Sequence, residues 1–298
     1  MQETNHKGTA FGLAIGAALL FGVSGAIASD ALADISPARA AQSRSMSAVA
    51  LLLPYAWYRG KLRQRGPWSL LILFGASLTA VNVAYYEAVD RIGVGPGMTL
   101  QFLAPIMVLV WMRTAEGKAI LRSAWFAAAV ALVGTALIAQ VWQGSSMDLI
   151  GVGAGLVAAA TFAAYLVIGE RLGQTMAPSG IMAYGFVISA LMWAFIQPIW
   201  LFPTDLPAKV WGELVWMGVL GTAIPFMLEL RALQQASAGF VGVIATAEPV
   251  IGAVAALLMF GEKMLSVQVI GMVLIVLSVA SVQRRGVAEV EVPLDAGR

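Results

Sequence analysis

The chain has 298 residues, of which 60% are hydrophobic and only 11% are charged. A soluble globular domain carries roughly 25% charged residues, so a water-soluble fold is excluded and lipid must solvate most of the surface. The net charge of +2 and the absence of a basic run with interleaved aromatic residues argue against nucleic acid as a partner.

The reactive side chains that are missing exclude further classes of function. The chain has no cysteine, which removes disulfides, thiolate nucleophiles and thiolate metal sites together. Its one histidine, His6, lies in the polar N-terminal segment, so a histidine-ligated metal and a histidine-based catalytic triad are excluded as well. We therefore expect no metal and no cofactor.

Ten apolar stretches follow one another, each long enough to cross a hydrocarbon core of about 30 Å as a helix. Their predicted limits are residues 10–28, 38–58, 68–88, 95–113, 120–140, 149–169, 180–202, 210–231, 239–260 and 265–283. The first is longer than the ~7–15 apolar residues of a signal peptide and has almost no positive charge before it. We predict that it remains as a span, although Ala31-Leu32-Ala33 resembles a cleavage site.

The distribution of lysine and arginine predicts how this all-α bundle is oriented. With the N-terminus inside, twelve of the 18 Lys and Arg residues lie near cytoplasmic ends of the spans and four lie near outer ends. Arg44, inside a span, and Arg298, at the terminus, are set aside. Both termini are therefore predicted to face the cytoplasm, with the protein a multi-pass protein of the bacterial inner membrane.

The two halves of the chain resemble each other at a constant offset. The sequence YYEAVDRIGVGPGMTLQFLAPIM (85–107) matches ELRALQQASAGFVGVIATAEPVI (229–251), so that Gly95 falls on Gly239 and Pro105 on Pro249. Because each half has an odd number of spans, five, the second half enters the membrane from the opposite side. This is an inverted-topology repeat, which is typical of transporters. The predicted units are a first five-helix repeat (1–143), a second inverted five-helix repeat (144–285) and a polar C-terminal tail (286–298).

Short motifs recur along this sequence in a fixed order and spacing. They are Phe21–Ser24 in the first span, Gly221-Thr222, Glu248-Pro249-Val250, Gly261-Glu262, and Gln268 with Gly271. Together they resemble the drug/metabolite transporter superfamily, in its ten-helix EamA-type exporter branch, although Phe21 stands where tryptophan is usual. The resemblance covers roughly residues 8–285, and within the branch the chain is most similar to aromatic amino acid and threonine exporters.

The resemblance implies a secondary transporter rather than an enzyme. It predicts a two-halved bundle with a central cavity, alternating access, and export of aromatic or small neutral amino acids or related metabolites. The partners would be a small-molecule substrate and the lipid bilayer, and the sequence is compatible with a monomer. Multidrug or other metabolite transport by the same fold is the alternative. An intramembrane enzyme is a distant one, because the spans hold no cysteine, no histidine and no close pair of acids at metal-binding spacing.

Polar and aromatic residues deep in the spans are the candidates for a substrate site near mid-membrane. In the third span, exposing the Asn82 side chain to lipid would cost free energy, because its amide needs a hydrogen-bond partner. That partner is either the substrate or a neighbouring helix. The predicted substrate-binding residues are Ser24, Asn82, Tyr86, Gln101, Phe162, Tyr165, Tyr184, Phe226 and Thr246. A cavity lined in this way suits an amphipathic or aromatic solute.

Three charged residues inside or near the spans have specific predicted roles or positions. Glu248, half-way along its span, serves in proton coupling, in binding an ammonium group, or in a tie between helices, which the resemblance favours. Arg44 binds a substrate carboxylate, pairs with Glu248, or extends to the outer interface, which we favour slightly. Glu229 is expected at the cytoplasmic interface.

Two prolines at equivalent positions of the repeat predict broken helices. Pro105 and Pro249 have no N–H, so each leaves the carbonyl four residues earlier without its helical partner. Together with Gly95 and Gly239, which lie in the glycine-rich or small-residue segments before them, these prolines are the predicted hinges.

Overall fold

A computed structural model describes residues 2–31, 34–63, 66–143, 148–261 and 263–288. Within them the chain forms thirteen α-helices, and β pairing is limited to one isolated bridge between Ile120 and Ala288. Leu32 and Ala33 of the cleavage-like sequence lie outside the described residues, as do residues 144–147 at the predicted boundary between the repeats. Of the predicted C-terminal tail, residues 286–288 are described.

The helices follow the predicted stretches closely. They are α1 (Gln2–Ala31), α2 (Pro37–Tyr58), α3 (Trp68–Ile92), α4 (Val94–Gln101), α5 (Ala104–Thr114), α6 (Arg122–Ile138), α7 (Leu149–Gly173), α8 (Pro178–Ile196), α9 (Ala208–Gly218), α10 (Ile224–Leu233), α11 (Ala238–Ala245), α12 (Glu248–Phe260) and α13 (Ser266–Arg285). Seven predicted stretches correspond to one helix each, and three correspond to a pair of consecutive helices.

Eight helical segments in the described part of the chain are long and apolar enough to cross a membrane. They are Lys7–Ile27, Trp68–Ile92, Val94–Thr114, Leu149–Gly173, Pro178–Ile196, Ala208–Leu233, Ala238–Phe260 and Ser266–Arg285. Large apolar side chains such as Phe195 and Leu258 are exposed on the outside of the bundle, as expected for a multi-pass membrane protein whose solvent is lipid.

Two of the ten predicted spans fall outside this group for different reasons. Helix α6 is apolar but has only 17 residues. Helix α2 has 22 residues, but its first turns carry several polar side chains. Several of these polar groups form hydrogen bonds inside the bundle: Gln42 is fully buried, and its Nε2 donates to the carbonyl oxygen of Gln197 at 2.5 Å.

Both helices that contain the predicted hinge prolines are interrupted. Helix α4 ends at Gln101 and α5 begins at Ala104, while α11 ends at Ala245 and α12 begins at Glu248. Pro105 and Pro249 each occupy an early position of the helix that follows the break. Because proline cannot donate to the preceding turn, the helical ladder ends there and restarts. That these breaks act as hinges during function remains a prediction.

The third interruption, between α9 and α10, is a π-helical turn at Val219–Ala223. Here Thr222 Oγ1 donates to the carbonyl oxygen of Met217, five residues earlier, at 2.8 Å. A π turn widens the helix locally and leaves backbone carbonyls available to other partners, and such turns are frequent at functional sites. The sequence pattern predicts one continuous helix over 210–231 and gives no sign of this turn.

The turns between helices gather at two ends of the bundle, which we call the Gly60 end and the Gly93 end after a glycine in one turn of each. At the Gly60 end, Tyr184 donates from its hydroxyl to the carbonyl oxygen of Leu62 at 2.5 Å. Also at this end, the backbone N–H of Leu121 donates to the carbonyl oxygen of Val287 at 2.9 Å. At the Gly93 end, Arg39 donates to the carbonyl oxygen of Pro198 at 3.0 Å.

Close backbone contacts at glycines hold pairs of helices together. At Gly134 of α6, an added Cβ would lie 2.7 Å from the carbonyl oxygen of Gly271 in α13, and at Gly271 it would lie 2.6 Å from that of Gly134. At Gly22 of α1, an added Cβ would lie 2.8 Å from both the Glu248 carbonyl oxygen and the Gly252 nitrogen of α12. Small residues at such crossings let membrane helices approach closely enough for strong van der Waals contact.

One buried contact joins residues that are separated by the repeat offset. Ser45 in α2 and Ser189 in α8 lie with their hydroxyl oxygens 3.3 Å apart, and the two residues are 144 positions apart in the chain. Thr79 of α3 also donates to the Ser189 hydroxyl at 2.9 Å. Positions that the offset of 144 residues makes equivalent therefore meet between α2 and α8.

A network of charged side chains ties the turns together at the Gly60 end. Lys118, in the turn before α6, lies 2.8 Å from Glu116 and 3.7 Å from Glu170 at the end of α7. Glu170 also accepts the backbone N–H of Ala238, the first residue of α11, at 2.7 Å. Arg171 completes the network through Glu116 at 3.4 Å. Burial alone would raise the pKa of Glu116, but its contacts with Lys118 and Arg171 hold that pKa below the usual value.

Asp148 caps the N-terminus of α7 at the Gly93 end. Its Oδ1 accepts the backbone N–H groups of Ile150 at 2.7 Å and Gly151 at 3.3 Å, and its Oδ2 lies 3.2 Å from Arg91. The N–H of Ile150, then Arg91 and the N–H of Gly151, lower the pKa of Asp148 below its ordinary value, because all three favour the charged carboxylate.

Replacing Asp148 by alanine is expected to lower the melting temperature at pH 7. The lowered pKa means that the stabilisation is fully present above about pH 4, the ordinary aspartate value, and is lost as the pH falls through the folded-state pKa. The measurement is the melting temperature of wild type, Asp148→Ala and Asp148→Asn in detergent at pH 7 and near pH 3.5. Asparagine keeps the cap without the charge and should fall between the other two at pH 7. A wild-type advantage that is equally large at both pH values would contradict the assignment.

Candidate functional site

A cavity of about 500 Å³ lies in the half of the bundle nearer the Gly93 end. Val94, which is 60% exposed, lines its mouth, so the cavity reaches the surface at that end. Towards the Gly60 end, the interior is filled by fully buried apolar side chains that include Leu166, Leu230 and Ile244. The bundle is therefore open at one end and closed at the other.

Most of the residues predicted to bind substrate meet in this cavity. Those that line it are Ser24, Asn82, Tyr86, Gln101, Phe162, Tyr165 and Phe226, together with Arg44, Glu248 and Pro249. They come from seven different helices of both halves of the chain. The wall therefore depends on long-range packing.

Two predicted substrate residues lie elsewhere. Tyr184 is placed at the Gly60 end, where its hydroxyl bonds to Leu62 and its ring meets that of Trp68 edge-on with the ring centroids 5.3 Å apart. Thr246 is buried, and its hydroxyl donates to the carbonyl oxygen of Val243 at 2.6 Å, one turn earlier in α11. Neither side chain is part of the cavity wall among the described residues.

The predicted glycine hinges are sites of close packing. A Cβ at Gly95 would overlap the carbonyl oxygen of Ala139, and a Cβ at Gly239 would lie 2.9 Å from side-chain atoms of both Leu109 and Met112. Like Pro105, these glycines lie outside the cavity wall. The backbone next to Gly95 therefore excludes a Cβ at that position, whereas the atoms next to Gly239 are ends of flexible side chains that can shift.

Arg44 is held by the π turn rather than extended to the interface. Its Nε donates to Thr222 Oγ1 at 2.8 Å, and one of its terminal nitrogens, Nη2, donates to the carbonyl oxygen of Gly221 at 2.9 Å. The snorkelling interpretation of Arg44 is therefore wrong. Since its other terminal nitrogen bonds to no described residue, Arg44 lines the cavity with donors still available.

Asn82 also lines the cavity without bonding to a neighbouring helix. Its Nδ2 donates to the carbonyl oxygen of Leu78 in the same helix at 2.8 Å. The interhelical hydrogen bond that was one interpretation of Asn82 is not formed among the described residues. Its amide oxygen remains an acceptor in the cavity wall.

Glu229 is the most important residue that the sequence analysis misplaced. It is only 3% exposed, and its Oε2 accepts a hydrogen bond from the hydroxyl of Tyr165 at 3.0 Å. The expectation of an interfacial residue is therefore wrong, because α10 turns this carboxylate into the cavity. A signal was present in the repeat: Glu229 falls on Tyr85, and both residues line the cavity.

A small chamber of about 20 Å³ adjoins both cavity glutamates. Glu229 and Glu248 line it together with Ala14, Ala17 and Ala18 of α1. A space of this size holds one water molecule when polar groups flank it. Glu248 itself has no hydrogen bond and no ion pair within 4.0 Å among the described residues.

Aromatic rings form the apolar part of the wall around Phe226. Its ring meets those of Phe21, Tyr165 and Phe186 edge-on, with centroid distances of 4.9, 5.4 and 5.6 Å. Edge-to-face contacts of this kind fix ring orientation beyond what apolar burial alone achieves. The cavity therefore combines a rigid aromatic wall with a few oriented polar groups.

The sequence matches the EamA-like transporter family over residues 8–140 and again over residues 149–283. The chain belongs to the EamA-like transporter family. This EamA-like transporter is also similar to named relatives. It is 26% identical to the threonine/homoserine exporter RhtA of Escherichia coli (strain K12) over 226 residues, which cover 69% of this chain and 71% of that one.

Two further comparisons extend over more of the transporter. The uncharacterized transporter YwfM of Bacillus subtilis (strain 168) is 24% identical over 267 residues, covering 88% of this chain and 89% of the relative. A crystal structure of a protein that is 18% identical superposes with a TM-score of 0.80 and covers 92% of this chain and 96% of its own. At that identity the structural likeness establishes the fold alone.

Proposed function

We propose that this protein exports amino acids, aromatic or small and neutral, or closely related metabolites, across the bacterial inner membrane by alternating access. The observation that carries the proposal is the cavity, which combines an aromatic wall with one arginine and two glutamates. An amino acid needs those three kinds of contact: apolar surface for its side chain and opposite charges for its two ionised groups. The similarity to a threonine/homoserine exporter supports this substrate class.

Several observations support an architecture of ten spans arranged as two inverted repeats. The family match falls on two stretches of similar length, the proline breaks are equivalent in the two halves, and Ser45 meets Ser189 across the bundle. With ten spans, the excess of Lys and Arg at the Gly60 end supports an orientation with both termini in the cytoplasm. The cavity then faces outward.

Alternating access requires that the Gly60 end open while the Gly93 end closes. We propose that the two repeats rock against each other about the breaks before Pro105 and Pro249. The ionic network of Glu116, Lys118 and Glu170 must separate in this step, because it ties the turn before α6 to α7 and α11. That network stabilises the outward-open state. Substrate binding must therefore offset the free energy that separating the network requires.

Glu248 is the proposed coupling residue. It lies in the cavity wall directly at the break between α11 and α12, beside Arg44 and the small chamber. A carboxylate at a moving helix break changes its surroundings when the bundle rocks, which is what a proton-coupled step needs. Proton antiport and facilitated diffusion then differ in whether this group gains and loses a proton in each cycle.

The test is counterflow into proteoliposomes that are loaded with unlabelled amino acids and given labelled ones outside. We expect saturable exchange for aromatic or small neutral amino acids. An imposed pH gradient is added in a second series; if it accelerates transport, Glu248→Gln should abolish that acceleration.

Matched tryptophan variants serve as controls for the site. Ala256→Trp fills the cavity and should abolish counterflow, whereas Ala160→Trp faces outward on α7 and should leave it intact. No saturable flux for any amino acid with correctly folded protein would overturn the proposed substrate class and redirect the search to drugs and other metabolites.

A further inference from the structure

The cavity carries opposite charges that do not neutralise each other. Arg44 and Glu229 both line it, yet neither lies within 4.0 Å of an oppositely charged partner among the described residues. Each is held by the protein instead: Arg44 by Gly221 and Thr222 of the π turn, and Glu229 by the hydroxyl of Tyr165. A basic and an acidic side chain that are held apart in one cavity favour a ligand that carries both complementary charges.

The spacing between the two charges can be read along one stretch of chain. Arg44 is anchored on Gly221 and Thr222, and Glu229 follows Thr222 by seven residues, which is about 10 Å at 1.5 Å per residue. Because helical side chains lean towards the helix N-terminus, the Glu229 carboxylate lies nearer to the Arg44 level than its backbone does. The gap is too long for a direct ion pair.

An α-amino acid fits a gap of this size. One carbon atom separates its ammonium from its carboxylate, and a hydrogen bond of about 3 Å at each end brings the total span to about 8–9 Å. Arg44 keeps donors free for a carboxylate, and Glu229 keeps its second carboxylate oxygen, Oε1, free for an ammonium. Phe21 and Phe226 pack beside this axis, where a substrate side chain would lie.

We propose that Arg44 and Glu229 form a binding site for zwitterions, in which Arg44 takes the carboxylate of the substrate and Glu229, oriented by Tyr165, takes its ammonium group. This inference rests on the proposed function and deepens it by naming the two recognition residues. Glu229 is assigned this role ahead of Glu248 because its carboxylate is oriented by a hydrogen bond, whereas that of Glu248 is not. Tyr165 is a positioning residue.

The test compares each amino acid with analogues that lack one of its charges. Calorimetry on purified protein measures the affinity for L-phenylalanine, 2-phenylethylamine and 3-phenylpropanoate, and likewise for L-threonine, 1-aminopropan-2-ol and 3-hydroxybutanoate. Wild type should bind at least one of the two amino acids more tightly than either of its analogues. In Glu229→Gln the affinity for that amino acid and its amine should fall about 10- to 100-fold, while that for the acid is unchanged.

Arg44→Gln should give the reverse pattern, losing affinity for the amino acid and the acid but not for the amine. Tyr165→Phe keeps the carboxylate and removes its orienting hydroxyl, so the amino acid and the amine should weaken by a smaller factor. Tyr165→Phe also tests the predicted binding of the ammonium group if Glu229→Gln does not fold. Glu213→Gln and Arg59→Gln, changes of the same kind outside the cavity wall, are the matched controls.

The outcomes separate the two claims. If wild type shows saturable amino acid counterflow but the variants weaken all three ligands equally, or none of them, the zwitterion site is overturned and the proposed function stands. If wild type binds and transports no amino acid at all, both are overturned. Opposite selectivity changes in Glu229→Gln and Arg44→Gln establish the site.

Discussion

Gly271→Ala is expected to lower the melting temperature of the purified protein strongly, although alanine favours helices more than glycine does. The added Cβ would lie 2.6 Å from the carbonyl oxygen of Gly134 and 3.0 Å from side-chain atoms of Leu137 and Ile138. A backbone oxygen cannot rotate away, so α6 and α13 must move apart along their whole crossing. Overpacking costs about 1–3 kcal/mol where neighbours can adjust, and we expect a cost at the upper end or beyond.

The matched control for this variant is Gly153→Ala. Gly153 also lies inside a helix, α7, but it is exposed and has no atom within 4 Å of an added Cβ. Helix propensity predicts the same small gain in both variants, so the difference between their melting temperatures in detergent isolates the packing at the α6–α13 crossing. Equal melting temperatures for Gly271→Ala and Gly153→Ala would show that the two helices do not cross this closely.

A cysteine at position 256 is expected to react rapidly with a membrane-impermeant thiol reagent added outside intact cells, and its modification should abolish transport almost completely. The wild-type chain contains no cysteine, so each single-cysteine variant has no background reaction. Ala256 lines the cavity near the Gly93 end, and an adduct there occupies the space that a substrate needs. Reaction requires the thiolate, and hence water, at this position.

Two further cysteines separate the possible causes of reaction. Ala10→Cys lies in the closed half and is fully buried, so it should react far more slowly than Ala256→Cys. Ala160→Cys is exposed on the outside of the bundle, where lipid suppresses the thiolate, and it should also remain unmodified. Rates for Ala10→Cys that match those for Ala256→Cys would contradict the one-sided cavity. Reaction of Ala256→Cys only with reagent on the cytoplasmic side would contradict the predicted orientation.

The α1–α12 crossing at Gly22 couples the packing of the bundle to the shape of the cavity. Gly22 lets α1 approach the backbone of α12 at Glu248 and Gly252, so the contact that closes one wall of the cavity also sets where the Glu248 segment lies. Substitutions at this crossing would therefore change stability and transport together. The stability test is better placed at Gly271, which does not line the cavity.

The sequence by itself determined where the helices lie and where two of them break. Hydrophobic length is a local property, because each residue must find lipid or protein around it wherever its helix packs. The missing N–H of Pro105 and Pro249 is equally local, and both breaks are present at the predicted places. The family resemblance rests on motifs of the same local kind, and the family match agrees with it.

Only the tertiary structure decided which side chains face the cavity. A membrane helix that is apolar all round carries no periodic signal for its inward face, so the direction of Tyr184, Thr246 and Glu229 could not be read from spacing. Glu229 turns inward because α10 packs with this face towards Tyr165 of α7. The hydrogen-bond partners of Arg44 could not be predicted from the sequence either. One of them is a backbone carbonyl oxygen in a π turn, and no residue pattern indicates such a turn.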